Sequence, residues 1–169
     1  KYLVIGNPIE HSLSPKLHNY WIKQNNIDAV YNKQQLNENN IEGIIAEVKN
    51  GKIDGINVTV PFKKSVIPFL DKLTPLANET RSVNTIYKEK ENGIDTVVGD
   101  NTDVGGFKQS LEYINYNVKN KKVFILGAGG VVPSILKALE KLKVSKVYIS
   151  NRTKEKAKDL ESHYKISLG

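Results

Sequence analysis

The chain has 169 residues, 39% hydrophobic and 25% charged, as expected of an ordinary globular protein of one or two small domains. It contains no cysteine, which excludes disulfides and thiolate metal sites; no metal centre is expected. The net charge of +7 raises the question of nucleic acid, but only two of the 25 basic residues are arginines and no basic run alternates with aromatics, so the lysines read as solvated faces.

In chain order, "YLVIG" (2–6) reads as a strand and "SPKLHNYWIKQN" (14–25) as a helix. In that helix Ser14 is the expected N-cap, Pro15 the first helical residue, and Leu17, Tyr20 and Trp21 an apolar stripe. "AVYNKQ" (29–34) reads as a strand and "NIEGIIAEVKN" (40–50) as a helix ended by Gly51. "DGINVTV" (54–60) is a third strand, with Val58 and Val60 on its core face and Asn57 and Thr59 on the other. A short helical stretch is expected from Pro61 and another over 75–80. "SVNTIYKE" and "DTVVGD" then form a hairpin around Asn92-Gly93.

After "GDNTD" (99–103) the pattern changes. "VGGFKQSLEYINYN" (104–117) is helical, with Phe107, Leu111 and Ile114 in register. "KKVFILG" (121–127) reads as a buried strand, followed by a helix (131–143), a strand (146–151) and a helix (153–164), with a further strand starting at Tyr164. Alternating βαβα predicts an α/β fold whose parallel sheets are covered on both faces. The expected architecture is an open, mostly parallel α/β substrate-binding and catalytic domain over 1–102, then the first part of a Rossmann-like dinucleotide-binding domain over 103–169. The second unit reads as unfinished, since a mononucleotide-binding half needs βαβαβ. The chain is therefore expected to be a piece of a longer protein. No segment reads as a signal peptide or membrane-spanning helix, which makes the cytoplasm the expected location.

Four polar clusters carry the chemistry. "VFILGAGGVV" (123–132) runs from a strand into Gly127, Ala128, Gly129, Gly130 and Val131 and then a helix, a turn that can approach a phosphate held on the helix N-terminus. The next strand ends in Asn151, Arg152 and Thr153, with no acid to accept ribose hydroxyls; a guanidinium there suits a 2′-phosphate, so NADP is the expected cofactor. In "GDNTD", Asp100 and Thr102 are expected mainly to cap the following helix, while Asp103 lies where cofactor and substrate can meet. In "GNPIEHSLSP" (6–15), Ser12 and Ser14 bracket a helix N-terminus suited to a carboxylate, and His11 reads as a loop residue. These serines, Asn57, Thr59, Lys63 and Asp103 all follow the carboxyl ends of strands, where open α/β sheets bind ligands.

Taken in order, "GNPIEHSLSP", "INVTVPFKK", "SVNTI", "GDNTD", "LGAGG" and "NRT" resemble the NADP-dependent shikimate dehydrogenase family. The resemblance spans essentially the whole chain but only about the first three-fifths of a family-length protein. It implies reversible reduction of 3-dehydroshikimate to shikimate with NADPH, a step of aromatic amino-acid and chorismate biosynthesis. It also implies residue roles. Ser12 and Ser14 would hold the substrate carboxylate; Thr59, Asn84 and Asp103 would bind ring hydroxyls, with Asn57 on the same wall. Lys63 would be the acid/base, paired with Asp103, while Lys64 is expected to be a solvated neighbour. Gly127 to Val131 would cradle the pyrophosphate, and Asn151, Arg152 and Thr153, with Lys156 nearby, would face the 2′-phosphate.

The partner expected is a small-molecule substrate, with no nucleic acid or membrane, in a monomer or homodimer. Some residues depart from the family pattern: Val104 stands where glycine is usual, Arg81-Ser82 where Ile-Gly is common, and Val131-Val132 where alanines are usual. A chain ending at Gly169 is expected to have little or no activity, lacking the family's later substrate and nicotinamide contacts. Two competing readings are an NAD-using quinate/shikimate dehydrogenase paralogue, disfavoured by Asn151-Arg152, and a non-catalytic metabolite- or dinucleotide-binding relative, disfavoured by intact Lys63 and Asp103.

Overall fold

The computed structural model describes residues 1–163, so the strand expected from Tyr164 lies outside the described residues. The chain divides into two compact units, the first Lys1–Asn101 and the second from Thr102 onward. Among the described residues no helix is long and apolar enough to cross a membrane.

The first unit is a six-stranded mixed sheet in the order β2-β1-β3-β5-β6-β4. Its strands are β1 (Tyr2–Gly6), β2 (Tyr31–Gln35), β3 (Gly55–Val58), β4 (Lys72–Leu73), β5 (Thr85–Glu91) and β6 (Ile94–Asp100). β1 pairs in parallel with both β2 and β3. β5 and β6 form an antiparallel hairpin, β5 joins β3 antiparallel, and β4 runs parallel to β6. The hairpin turn has Asn92 at φ 52° and Gly93 at φ 82°, two positive values that match the right-handed twist of the flanking strands. β4 was not legible in the sequence: two residues, Lys72 and Leu73, carry no periodicity.

β1 is buried on both sides because its alternate residues feed different clusters. Leu3 and Ile5 join the main core with Ile41, Ile45 and Val48 of α2 (Ile41–Lys49), while Val4 packs with Ile9, Tyr31 and Ile22. Ile22 belongs to α1 (Ser14–Gln24), which buries no residue completely. The stripe expected to anchor α1 is exposed instead, with Leu17, Tyr20 and Trp21 at 47%, 59% and 48%. The helical period is right, but the helix meets its own sheet through Ile22 and polar side chains.

β3 ends at Val58, two residues earlier than expected. Val58 is buried, whereas Val60 is exposed and faces away from the core. Thr59 and Val60 still bond to the β1 side, Thr59 N–H to the Ile5 carbonyl and Asn7 N–H to the Val60 carbonyl, and they pass close to Gly6, where a Cβ would lie 2.6 Å from Thr59 Cγ2 and 3.0 Å from the Val60 carbonyl. From Pro61 the backbone makes successive turns and a short 3₁₀ segment (Ile67–Phe69) rather than a helix. α3 (Pro75–Thr80) is capped by Thr74, whose hydroxyl accepts from the Ala77 N–H.

The second unit contains α4 (Asp103–Tyr113), β7 (Lys122–Leu126), α5 (Val132–Lys141), β8 (Lys146–Ser150) and α6 (Lys154–His163), with β7 and β8 parallel. Its core joins Val123 and Ile125 of β7 to Val147 and Ile149 of β8, Leu136 and Leu139 of α5, Phe107 and Leu111 of α4, and Leu160 of α6. Ile114 lies past the end of α4 and is exposed. Among the described residues Val123 and Ile125 are the face of β7 that packs on the helices, and Phe124 and Leu126 on the other face are 63% and 81% exposed.

Candidate active site

The first unit gathers polar groups at the carboxyl ends of β1 and β3. The loop after β1 folds on itself through the Ser12 N–H to the Ile9 carbonyl, 3.0 Å. Ser14 is not the N-cap: that position falls on Leu13, and Ser14 is the first helical residue, its N–H donating to Ser12 Oγ at 3.3 Å. The capping oxygen is therefore supplied by Ser12, two residues upstream, because Pro15 fits the first turn without an N–H to satisfy. Ser12, Ser14 and Thr59 line one cavity of about 240 Å³, with His11 on its rim and Val4 and Ile9 supplying apolar wall.

Asn57, at the end of β3, sits in a hydrogen-bonded row. Its Oδ1 accepts from the Tyr31 hydroxyl at 2.6 Å. Its Nδ2 donates to the Asn84 carbonyl and to Thr85 Oγ1, both at 3.3 Å, and Thr85 Oγ1 in turn donates to Asn84 Oδ1 at 3.2 Å. Asn84 is itself tied to the sheet, its N–H donating to the Asp100 carbonyl and its carbonyl accepting from Val58. Tyr31 and Thr85 were missed by sequence reasoning. β2 reads "YNKQQ", a polar edge strand with no apolar alternation to mark its first residue as buried.

Tyr31 is enclosed from the α1 side. Asn19 clamps its backbone, accepting from the Tyr31 N–H at 2.9 Å and donating to its carbonyl at 2.7 Å. His18 stacks on its ring at 4.2 Å and meets Trp21 edge-on at 5.4 Å. Burial pushes the Tyr31 phenol up to about 12, with the Ser14 side chain beside it pulling the other way. Burial also lowers His18 from the usual imidazole value, favouring the neutral ring.

Lys63 is 8% exposed, an unusual depth for a lysine, while Lys64 next to it is exposed. The turn that carries it is anchored by Phe62 and Val66, both buried, and its carbonyl accepts from the Val83 N–H at 2.8 Å. Asp100 is not a helix cap; it accepts from the Thr74 hydroxyl at 2.5 Å within the first unit. Thr102 occupies the N-cap position of α4 but makes no side-chain capping bond, and Asp103 is the first residue of that helix. A carboxylate there complements the helix dipole.

In the second unit, Gly127 closes the β7–β8 ladder by donating to the Ser150 carbonyl at 2.7 Å and takes φ +108°, a conformation that suits glycine. A Cβ on Gly127 or Gly129 would meet nothing within 4 Å, so these glycines open space above the α5 N-terminus rather than fit a tight packing turn. The Ala128 N–H donates to Asn151 Oδ1 at 3.1 Å, and Asn151 Nδ2 donates to the Thr153 carbonyl at 2.7 Å. Asn151 thus ties the glycine turn to the loop bearing Arg152, which is exposed, as are Thr153 and Lys156.

Residues 4–86 match the shikimate dehydrogenase substrate binding domain, and residues 109–168 match the shikimate / quinate 5-dehydrogenase domain. The chain belongs to the shikimate dehydrogenase family. It is 56% identical over 163 residues to the NADP(+) shikimate dehydrogenase of Pelagibacter ubique, covering 96% of this chain and 60% of that protein. A crystal structure of shikimate dehydrogenase from Aquifex aeolicus superposes with a TM-score of 0.89 at 40% identity, over 99% of this chain and 61% of that one. The Thermus thermophilus enzyme, solved in complex with NADP(H) and shikimate, gives a TM-score of 0.87 at 28% identity, over 99% and 62%. The chain spans about three-fifths of the length of the curated relatives it matches.

The departures from the family pattern fall at structurally distinct places. Arg81 caps α3 with φ 48°, a left-handed position. Ser82 is fully buried, its carbonyl accepting from Asn101 Nδ2 at 2.7 Å and tying this turn to the end of β6. Val104 and Val132 are buried, and Val131 is exposed.

Proposed function

We propose that the protein to which this chain belongs reversibly reduces 3-dehydroshikimate to shikimate with NADPH. Residues 1–102 would bind substrate and carry the acid/base, and 103–169 would begin the NADP-binding domain. The observation that carries this reading is the cavity that Ser12, Ser14 and Thr59 share at the carboxyl ends of β1 and β3; Asn57 and Asn84, bonded to each other at the end of β3, do not line it. Its chemistry matches an acid with several ring hydroxyls: two serines at a helix N-terminus for the carboxylate, and amides and a threonine for the hydroxyls. The Pelagibacter ubique relative named above and the shikimate-bound Thermus thermophilus structure support the same assignment.

The glycine turn fits a dinucleotide. Open space at Gly127 and Gly129 above the α5 N-terminus suits a pyrophosphate, and Arg152 with Lys156 suits a 2′-phosphate where no acid stands. NADP held by these residues would supply reversible hydride transfer at the substrate carbinol. Lys63 Nζ takes the hydroxyl proton in oxidation and returns it in reduction, with Asp103 orienting it. Its burial, on the turn that follows Thr59, is what supports this role for Lys63 over Lys64. The protein is read as a cytoplasmic monomer or homodimer with a small-molecule substrate.

Full-length protein mixed with shikimate and either NADP⁺ or NAD⁺ should generate reduced cofactor, faster with NADP⁺. No absorbance change with either cofactor overturns the reading; equal or better use of NAD⁺ overturns the cofactor assignment. Lys63→Ala should lower turnover at saturating substrate by roughly 10²-fold or more, and Lys64→Ala should leave it within about twofold. Unchanged turnover in Lys63→Ala removes the lysine from the mechanism.

A further inference from the structure

We propose that Tyr31 is a positioning residue that locks the donor and acceptor directions of the substrate site, a role that rests on the shikimate reading above. A carboxamide presents an oxygen that only accepts and a nitrogen that only donates, and the two can be exchanged by a half-turn of the side chain. At Asn57 the Asn84 carbonyl, which can only accept, draws Nδ2 toward itself and toward Thr85 Oγ1. Tyr31 locks that orientation from the other end, its phenol donating its one hydrogen to Asn57 Oδ1 at 2.6 Å. Thr85, taking that hydrogen on its oxygen, gives its own to Asn84 Oδ1. The row runs one way, from β2 through β3 to the start of β5, and it ends with the oxygen of Asn84 engaged as an acceptor. A substrate hydroxyl reaching Asn84 would then meet a side chain whose orientation this row holds.

The tyrosine can play this part because it is held on three sides. Asn19 fixes its backbone, His18 stacks on its ring, and Val4 and Ile9 pack with it under the cavity. It is not among the residues that line the cavity, and its hydroxyl meets both Asn57 and the Ser14 side chain, so it acts through these neighbours rather than by touching substrate.

The test uses the full-length protein carrying Tyr31→Phe, which keeps the ring and its stacking and removes only the hydroxyl. The KM for shikimate should rise about three- to tenfold, with the KM for NADP⁺ within about twofold and little change in melting temperature. Thr85→Val should give the same split. An unchanged shikimate KM in Tyr31→Phe, or a parallel rise in both KM values with a lowered melting temperature, overturns the proposal. A second readout does not depend on turnover: the side-chain amide proton signals of Asn57 in isotope-labelled full-length protein. They should shift and lose exchange protection in Tyr31→Phe, and identical signals overturn the positioning role. If wild-type protein oxidises no shikimate, the functional reading fails, and the amide signals still decide whether Tyr31 orients Asn57.

Discussion

Tyr31 shows how one buried hydroxyl links packing to pH. A tyrosine in an unfolded chain ionises near ~10, while in the fold burial pushes Tyr31 up to about 12. The folded state keeps its proton over a range where the unfolded chain has released it. The stability held in the neutral phenol is therefore complete below about pH 10 and is lost as pH rises toward 12, to an extent of about 2–3 kcal/mol. Denaturant titrations between these limits should show a steeper loss in wild type than in Tyr31→Phe. Arg81 offers a second residue-level test. It holds φ 48° at the end of α3, where an L-residue pays a steric penalty that glycine avoids. Arg81→Gly should raise stability by about 0.5–1 kcal/mol, read as a higher melting temperature. The residues proposed for the site, two serines, two asparagines, a threonine and a lysine, came from their motifs. Tyr31 and Thr85 were not, because a single tyrosine opening a polar edge strand carries no periodic signal.

At the scale of elements, the crossing of β1 and the loop after β3 is the point on which the site depends. Gly6 lets Thr59 pass at 2.6 Å from where a Cβ would stand, which brings Thr59 into the same cavity wall as Ser12 and Ser14. Gly6→Ala should destabilise the protein by about 1–3 kcal/mol and weaken shikimate binding together with it, measured by melting temperature and KM. The helices and most strands followed from apolar period and punctuation: Pro15 at the start of α1, Gly51 after α2, and Asn92-Gly93 in the hairpin. The misjudged boundaries share a cause. Val60 completes the alternation of "NVTV" and its carbonyl still accepts from the Asn7 N–H at 3.0 Å, yet its side chain is exposed because the strand ends at Val58 and the chain turns at Pro61. Ser14 looks like a cap by type, but Ser12 is the one whose oxygen reaches the helix amide.

For the whole molecule, the cofactor reading makes a selective prediction. Arg152 is exposed on the loop that Asn151 ties to the glycine turn. Arg152→Ala in the full-length protein should raise the KM for NADP⁺ about tenfold while leaving that for NAD⁺ within about twofold, since only the former offers a 2′-phosphate to the guanidinium. An equal effect on both would assign the arginine elsewhere. The sequence by itself determined the family, the two-part α/β organisation and the order of the polar motifs, because those depend on local spacing and on residue type. Only the tertiary structure decided how α1 meets its sheet, through Ile22 and Asn19 rather than through the stripe of Leu17, Tyr20 and Trp21. It also decided which way the hydrogen bonds of the site run. Burial and most of these bond directions depend on neighbours brought together from distant parts of the chain, such as Tyr31 with Asn57 and Asn57 with Asn84, which no short window of sequence contains.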